Sequence, residues 1–372
     1  MRKKAFIITC IALMPCVARA NAGTSLMWAT AFHLFIGNVF LGIFEGAVLA
    51  KVFKLPGGRC VSSMIVANYF SAWLGAFFIQ ELRAAWTVDI YNGLQYSLVL
   101  ICLTYLLTLI LEWPFIAYSF WRTQHWRRRS IKATLLTQTL SYLLLFGGYW
   151  SASGKTLYTD TTIVPVAQVS FPKGLQLFYI SEADGNVYRK SRMDGETKVC
   201  DLKSSGGWSY LCIRESENGG DLVAVLHDQS NQETAVVVLP GILKSVPDTY
   251  LETWPERRHG QAPRVGAAIH SPWRIHWDLY DTVGVEGVNE KSGEKFQVSY
   301  GTPVLGWPVF GALHLPEEKV LFQFGIDQLC LLDVATRKLA IFARGHGPVA
   351  LTDQDLSQRS DDPAGPPGVS PP

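Results

Sequence analysis

The chain has 372 residues, 48% of them hydrophobic and 17% charged, with a formal net charge of +2. That near-neutral balance lacks the broad basic surface a nucleic-acid-binding domain needs, so no nucleic-acid partner is expected. The apolar residues gather in the first 152 positions, and strand-like polar sequence fills the rest.

The start reads as a secretion signal over residues 1–22. Arg2, Lys3 and Lys4 precede the apolar run Ala5–Val17, and small residues then fit a cleavage site at Ala18-Arg19-Ala20 or Ala20-Asn21-Ala22. Pro15 before Cys16 argues against lipidation, and the alternative is an uncleaved first membrane helix.

Four apolar stretches follow, Ser25–Ala50, Val61–Gln80, Leu94–Trp121 and Ile131–Trp150. Each is close to the ~20 residues a helix needs to cross hydrocarbon. They predict a four-helix transmembrane bundle over 23–152, with the lipid bilayer as its first partner. Lys51, Lys54 and Arg59 lie between the first and second stretches, and Arg122, Arg127, Arg128, Arg129 and Lys132 between the third and fourth. The turn Glu81–Gly93 has only Arg83. Basic loops stay in the cytoplasm, so everything after Trp150 is expected outside it, in a protein of the inner (cytoplasmic) membrane. The mixture of Trp and Arg over Trp121–Arg129 reads as interfacial anchors plus the basic residues of a cytoplasmic loop.

Four polar residues interrupt the apolar stretches: Glu45, Asn68, Glu112 and Gln138. At 1.5 Å per residue all four fall about 4–10 Å from the midplane, on the cytoplasmic side. Asn38, Gly42 and Glu45 share one helix face; so do Asn68, Ser71 and Gly75, and Thr104, Thr108 and Glu112. Ionisable residues inside a membrane face a bundle interior or a wet cavity and are candidates for function. The spacing predicts one intramembrane polar cluster, read either as a structural seam or as a proton or cation site.

Residues 153–352 are expected to form an all-β extracytoplasmic domain. Strand candidates run Leu175–Ile180, Val187–Lys190, Lys198–Leu202, Trp208–Arg214, Leu222–Leu226 and Ala235–Leu239, separated by Gly- and Asn-rich turns. The stretch 240–275 is less regular. Strands resume at Arg274–Tyr280, Phe296–Tyr300, Val320–Phe324, Leu329–Leu332 and Leu339–Ala343. Spacing of about 8–12 residues with turn chemistry between indicates an antiparallel meander. The hairpin Asp333-Val-Ala-Thr-Arg-Lys338 resembles those joining blade strands in many β-propellers, and that resemblance implies a propeller-like fold of about four or five blades. A sandwich or a partly closed meander is the alternative. The Pro-rich stretch 353–372 is expected to be disordered.

Cys200 and Cys212 are symmetric about Gly206, within the turn Ser204–Gly207. In a hairpin turning there they would face each other, outside the cytoplasm where disulfides persist, and such a bond would stabilise by about 3 kcal/mol. Arg274, His276 and Asp278 alternate on one strand with His270 nearby, and read as solvated residues because no second ligand pair supports a metal. Gly154-Lys155-Thr156 ends like a P-loop but has Tyr149 where the first Gly belongs, and Ser292–Lys295 fits S-x-x-K without its companion motifs. No G-x-S-x-G, H-E-x-x-H or C-x-x-C occurs, and neither catalytic residues nor a metal or cofactor are expected. The sequence points first to an extracytoplasmic module that binds an envelope protein or small ligand; loops rich in Trp (Trp254, Trp273, Trp277 and Trp307) would suit such binding, although ordinary core packing is the commoner role for these side chains. The alternative is an ion- or proton-coupled transport component using Glu45 and Glu112.

Overall fold

The computed structural model describes residues 25–191, 195–202, 209–217, 219–227, 232–244, 246, 259–280 and 282–357. The signal segment, the turn 204–207, Trp254 and the tail beyond 357 lie outside them. The chain divides into two compact units: Met1–Lys155 with Tyr300–Gly306, and Thr156–Ser299 with Trp307–Pro372.

The first unit is helical. Helix α1 (Ser25–Phe32) runs through a π-helical turn, His33–Gly37, into α2 (Asn38–Phe53) without leaving helical backbone. Lys54 ends α2 in the left-handed region at φ 57°, and Pro56 starts α3 (Gly57–Ala85). Asp89 accepts hydrogen bonds from the backbone N–H groups of Tyr91 and Asn92, which turns the chain into α4 (Gly93–Phe120). The last long helix is α5 (Trp126–Ala152).

Two glycines set how closely α2 and α3 approach. A Cβ on Gly42 would stand 2.6 Å from the Ile65 Cα, and one on Gly46 would stand 2.5 Å from the Val61 Cα. The four-residue spacing on both helices makes a small-residue crossing, in which main chain meets main chain and dispersion replaces the hydrophobic effect that lipid cannot supply. Below it, Leu49, Cys60, Met64, Ala67, Ile116, Phe120 and Ala133 form a closed apolar cluster. Arg129 caps this end by donating to the Phe53 carbonyl at 3.0 Å.

The expectation of four spanning helices is corrected. Among the described residues three helical segments are long and apolar enough to cross a membrane: Ala29–Phe53, Gly57–Phe78 and Gly93–Phe120. Helix α5 falls short because its first half carries Arg127, Arg128, Arg129 and Lys132, followed by Thr134, Thr137, Gln138, Thr139 and Ser141. Its buried stripe is polar or small: Ser130, Ala133, Thr134, Thr137, Gln138 and Ser141. The chain is nonetheless a multi-pass membrane protein with a large C-terminal extracytoplasmic domain.

The second unit is built from β-strands after a short helix, α6 (Thr156–Thr159). Its largest sheet holds β2 (Leu175–Ser181), β3 (Val187–Ser191), β4 (Gly195–Cys200), β12 (Val309–Leu315), β13 (Lys319–Phe324), β14 (Gln328–Asp333) and β15 (Lys338–Thr352). The order is β12-β13-β14-β15-β2-β3-β4, with β1 (Thr162–Ile163) parallel to β15. A second sheet has the order β5-β6-β7 (Tyr210–Ser216, Gly219–His227, Glu233–Leu243). A third runs β11-β10-β9-β8 (Lys295–Val298, Val285–Asn289, Trp273–Asp278, His259–Gln261).

These sheets are open, which corrects the propeller expectation. The reason lies in β15, read from sequence as a short strand ending at Ala343. It continues to Thr352: Lys338–Arg344 pair with β14, and Gly345–Thr352 pair with β2. One strand therefore joins two stacks into a single sheet, where a propeller would have separate blades. A bulge between His346 and Val349 bends it, and Gly347 at φ 59° allows the approach of Tyr210, whose Cα would lie 2.4 Å from a Cβ there. Strand β2 is buried on both faces. Leu175, Leu177 and Tyr179 join one core with Leu321, Leu331 and Phe342, while Phe178 and Ile180 join another with Leu211, Ile213 and Leu222. The propeller-like hairpin itself is an Asp-initiated turn, Asp333 accepting from the N–H groups of Ala335 and Thr336. Asp353–Ser357, inside the stretch expected to be disordered, forms a short helix, α7, capped by Thr352 and Asp355.

The expected disulfide is absent: Cys200 and Cys212 are both free thiols. Strands β4 and β5 do not pair. Cys200 lies opposite Val187 in the large sheet, and Cys212 opposite Val223 in the three-stranded one. Cys200 packs beside the core containing Leu211 and Ile213, whereas Cys212 points to the other face of β5 with Tyr210, Val223 and Val225. Symmetry about Gly206 does not bring thiols together when the flanking strands belong to different sheets.

Candidate functional site

The polar residues of the helical unit converge from four helices. Glu45 on α2, Asn68 and Ser71 on α3, Glu112 on α4, and Gln138 and Ser141 on α5 are all buried, Glu45 completely and Glu112 and Gln138 to within 1%. Asn68 Nδ2 donates to Glu45 Oε2 at 2.6 Å and to the Met64 carbonyl at 2.9 Å. Ser71 Oγ donates to Glu112 Oε1 at 2.5 Å. Ser141 Oγ donates to Glu45 Oε1 in a short bond. Gln138 Nε2 reaches both acids, closely to Glu112 Oε2 and at 3.4 Å to Glu45 Oε1.

Helix geometry explains who meets whom. Asn68 and Ser71 lie three residues apart on α3, as do Gln138 and Ser141 on α5, so each pair presents two donors from one face. The close α2–α3 crossing at Gly42 and Gly46 flanks Glu45 along its helix and brings Asn68 within reach of it. Sequence spacing singled out Glu45, Asn68, Glu112 and Gln138, and Ser71 through its stripe; Ser141 was missed. Its signal was the three-residue spacing from Gln138.

The electrostatics are one-sided. Every carboxylate oxygen of the two acids accepts a hydrogen bond, and among the described residues neither acid has an ion-pair partner. Ionised carboxylates without a counter-charge are costly in a dry interior, and two bridged by one amide are costlier. The arrangement can hold one negative charge dispersed over several donors, with the second acid carrying a proton. Among the described residues no third ligating side chain joins the two carboxylates, so the chemistry suits a proton better than a metal ion, which needs several converging oxygen ligands.

The extracytoplasmic candidates do not assemble. Arg274 pairs with Glu290 at 2.5 Å on the surface, and His270 and His276 are exposed. Among the described residues no group of three or more His, Cys, Asp or Glu could hold a metal ion. Trp273, Trp277 and Trp307 are 2%, 8% and 6% exposed, so they pack the core and are not contact residues. Two histidines in this unit are notable for their burial. Among the described residues His314 and His346 have no hydrogen-bond partner on either ring nitrogen, although Glu182 stands 3.7 Å from His346 Nδ1, and burial pushes both histidines down to about 4.

No protein-family model and no curated protein matches the chain. Among solved structures, "The structure of putative TolB from Agrobacterium tumefaciens" is similar at 13% identity over 46% of this chain and 70% of that one. The TM-score is 0.17, too low to carry an argument about fold or function.

Proposed function

We propose that the chain is a proton-coupled transport component of an inner membrane, with Glu45 and Glu112 as the proton-binding pair. One observation carries this reading: a single amide, Gln138, bridges two fully buried acids from different helices, with no cation beside them among the described residues. Such a pair gains or loses a proton as a unit, and the change in charge alters how strongly Gln138, Asn68, Ser71 and Ser141 hold the helices together. That links protonation to helix packing, which transport requires. The extracytoplasmic domain is the part open to an envelope partner, and among its described residues no cluster comparable to the membrane one supports placing the activity there.

The test uses the full chain in lipid vesicles. Infrared difference spectra between acid and alkaline buffer should show a protonated-carboxyl band that Glu45→Gln with Glu112→Gln removes. Under an imposed pH gradient, a trapped pH dye should report proton flux in the wild type and none in the double variant. A band unaffected by the double substitution would overturn the proposal.

A further inference from the structure

A second polar group lies in the helical unit, toward the end of α5 from which the chain passes to the extracytoplasmic domain. His33 Nδ1 and the Tyr149 hydroxyl are 2.8 Å apart, and a second side-chain hydrogen bond ties His33 to Asn38, which is 1% exposed. Tyr149 also has a hydrogen-bond partner in Thr30, whose hydroxyl donates to the Leu26 carbonyl. His33 opens the π-helical turn, a local widening of the helix that is frequent at functional sites. The only titratable side chain bonded to the ring is Tyr149, among the described residues.

Between this group and the acid pair stands a third polar rung. Tyr142 hydrogen-bonds to Thr108 at 3.0 Å and also to Thr104, and its ring packs edge-on against Tyr105 at 4.9 Å. Tyr105 in turn bonds to Thr139 at 2.9 Å. Gln138, Tyr142 and Tyr149 are spaced by four and seven residues, which puts them on one face of α5 at steps of about 6 and 10 Å. Thr108 and Glu112 are one turn apart on α4. Polar groups thus occupy successive levels from the acid pair to His33.

We propose that protons reach the Glu45–Glu112 pair from the extracytoplasmic side, with His33 as the first acceptor and the Tyr142–Thr108 pair as the intermediate station. This rests on the proton-binding reading above. The neutral ring accepts the Tyr149 O–H at Nδ1. When a proton arrives, it goes onto Nδ1, and the phenol turns its O–H toward Thr30. Releasing that proton inward, through the Tyr142 and Thr108 hydroxyls and water between the levels, restores the starting arrangement. No bond other than O–H and N–H is made or broken.

Sidedness provides the test. The full chain is placed in vesicles with the extracytoplasmic domain outward, and the carboxyl infrared band is followed after an acid jump on one side. His33→Gln should slow the response to an outside jump by about 100-fold, the lower end of what a positioned proton-transfer group contributes. The response to an inside jump and the band's equilibrium titration should stay as in the wild type. Tyr149→Phe, which removes one hydroxyl and keeps the ring, should slow the outside response likewise and covers the case of a His33 variant that does not fold. An unchanged outside rate in both variants, or equal slowing from both sides, would overturn the path while leaving the acid pair intact. A band that survives Glu45→Gln with Glu112→Gln would overturn the acid pair and the path together.

Discussion

Replacing Gln138 by Leu removes one side chain that serves two acids, and the structure says which acid suffers more. Glu45 keeps Ser141 on Oε1 and Asn68 on Oε2, and loses only the long 3.4 Å contact. Glu112 keeps Ser71 on Oε1, but its Oε2 loses its donor and stays buried. A hydrogen bond to a charged group contributes about 1.5–3 kcal/mol, and an orphaned buried acceptor costs a similar amount. Gln138→Leu should therefore destabilise the helical unit by about 2–4 kcal/mol. Cys60 offers a local readout, since its thiol is free and buried in the apolar cluster at one end of the bundle. Its labelling rate across a denaturant series, read by mass spectrometry of the full chain, reports opening of this unit alone. A double-mutant cycle sharpens the result: coupling of Gln138→Leu to Glu112→Gln should exceed coupling to Glu45→Gln by about 1 kcal/mol or more. Equal couplings, or a Gln138→Leu chain as stable as wild type, would refute the bridging geometry.

Gly46→Leu should destabilise the bundle by about 3 kcal/mol or more, because the nearest atoms to the new Cβ are Val61 main chain, which no rotamer change relieves. Gly75→Ala meets nothing within 4 Å and should be neutral or stabilising by about 0.5–1 kcal/mol; both are read by the same Cys60 labelling. The β domain should be acid-sensitive. His314 and His346 charge near 6.5 when unfolded but only near 4 when folded, because burial disfavours the charged ring. The unfolded chain then binds the extra protons between those values, so each histidine's contribution of about 3 kcal/mol is complete above pH 6.5 and lost as pH falls toward 4. Proteolysis of the full chain between pH 7 and 4 should show this loss, and His314→Leu with His346→Leu should flatten it; a domain equally resistant throughout would contradict the assignment. Non-reduced peptides from oxidised protein should show Cys200 and Cys212 unlinked, and a linked peptide would overturn the assignment of their strands to separate sheets.

What the amino-acid sequence determines by itself here is whatever depends on neighbours within a turn or two. Hydropathy marked the long helices, and short runs between turn residues marked most strands, because burial of one face and a turn's backbone are local demands on the chain. The helical period placed Glu45, Asn68 and Glu112 on stripes of small and polar residues before any packing was known, and Gln138 stood out only as a polar residue in an apolar stretch. Strands β1, β8, β10 and β12 escaped notice: the first two have only two and three residues, Val285–Asn289 is short and interrupted by Gly287, and Val309–Leu315 follows a Gly- and Pro-rich stretch. Tertiary structure alone decided partners. Gln138 touching both acids, Ser141 joining them, and His33 meeting Tyr149 across 116 positions are outcomes of helix packing, which no spacing along one helix encodes. The same holds outside the membrane. A strand's period tells which residues share a face, but not which strand lies alongside, and so β15 bridges two stacks and Cys200 never faces Cys212.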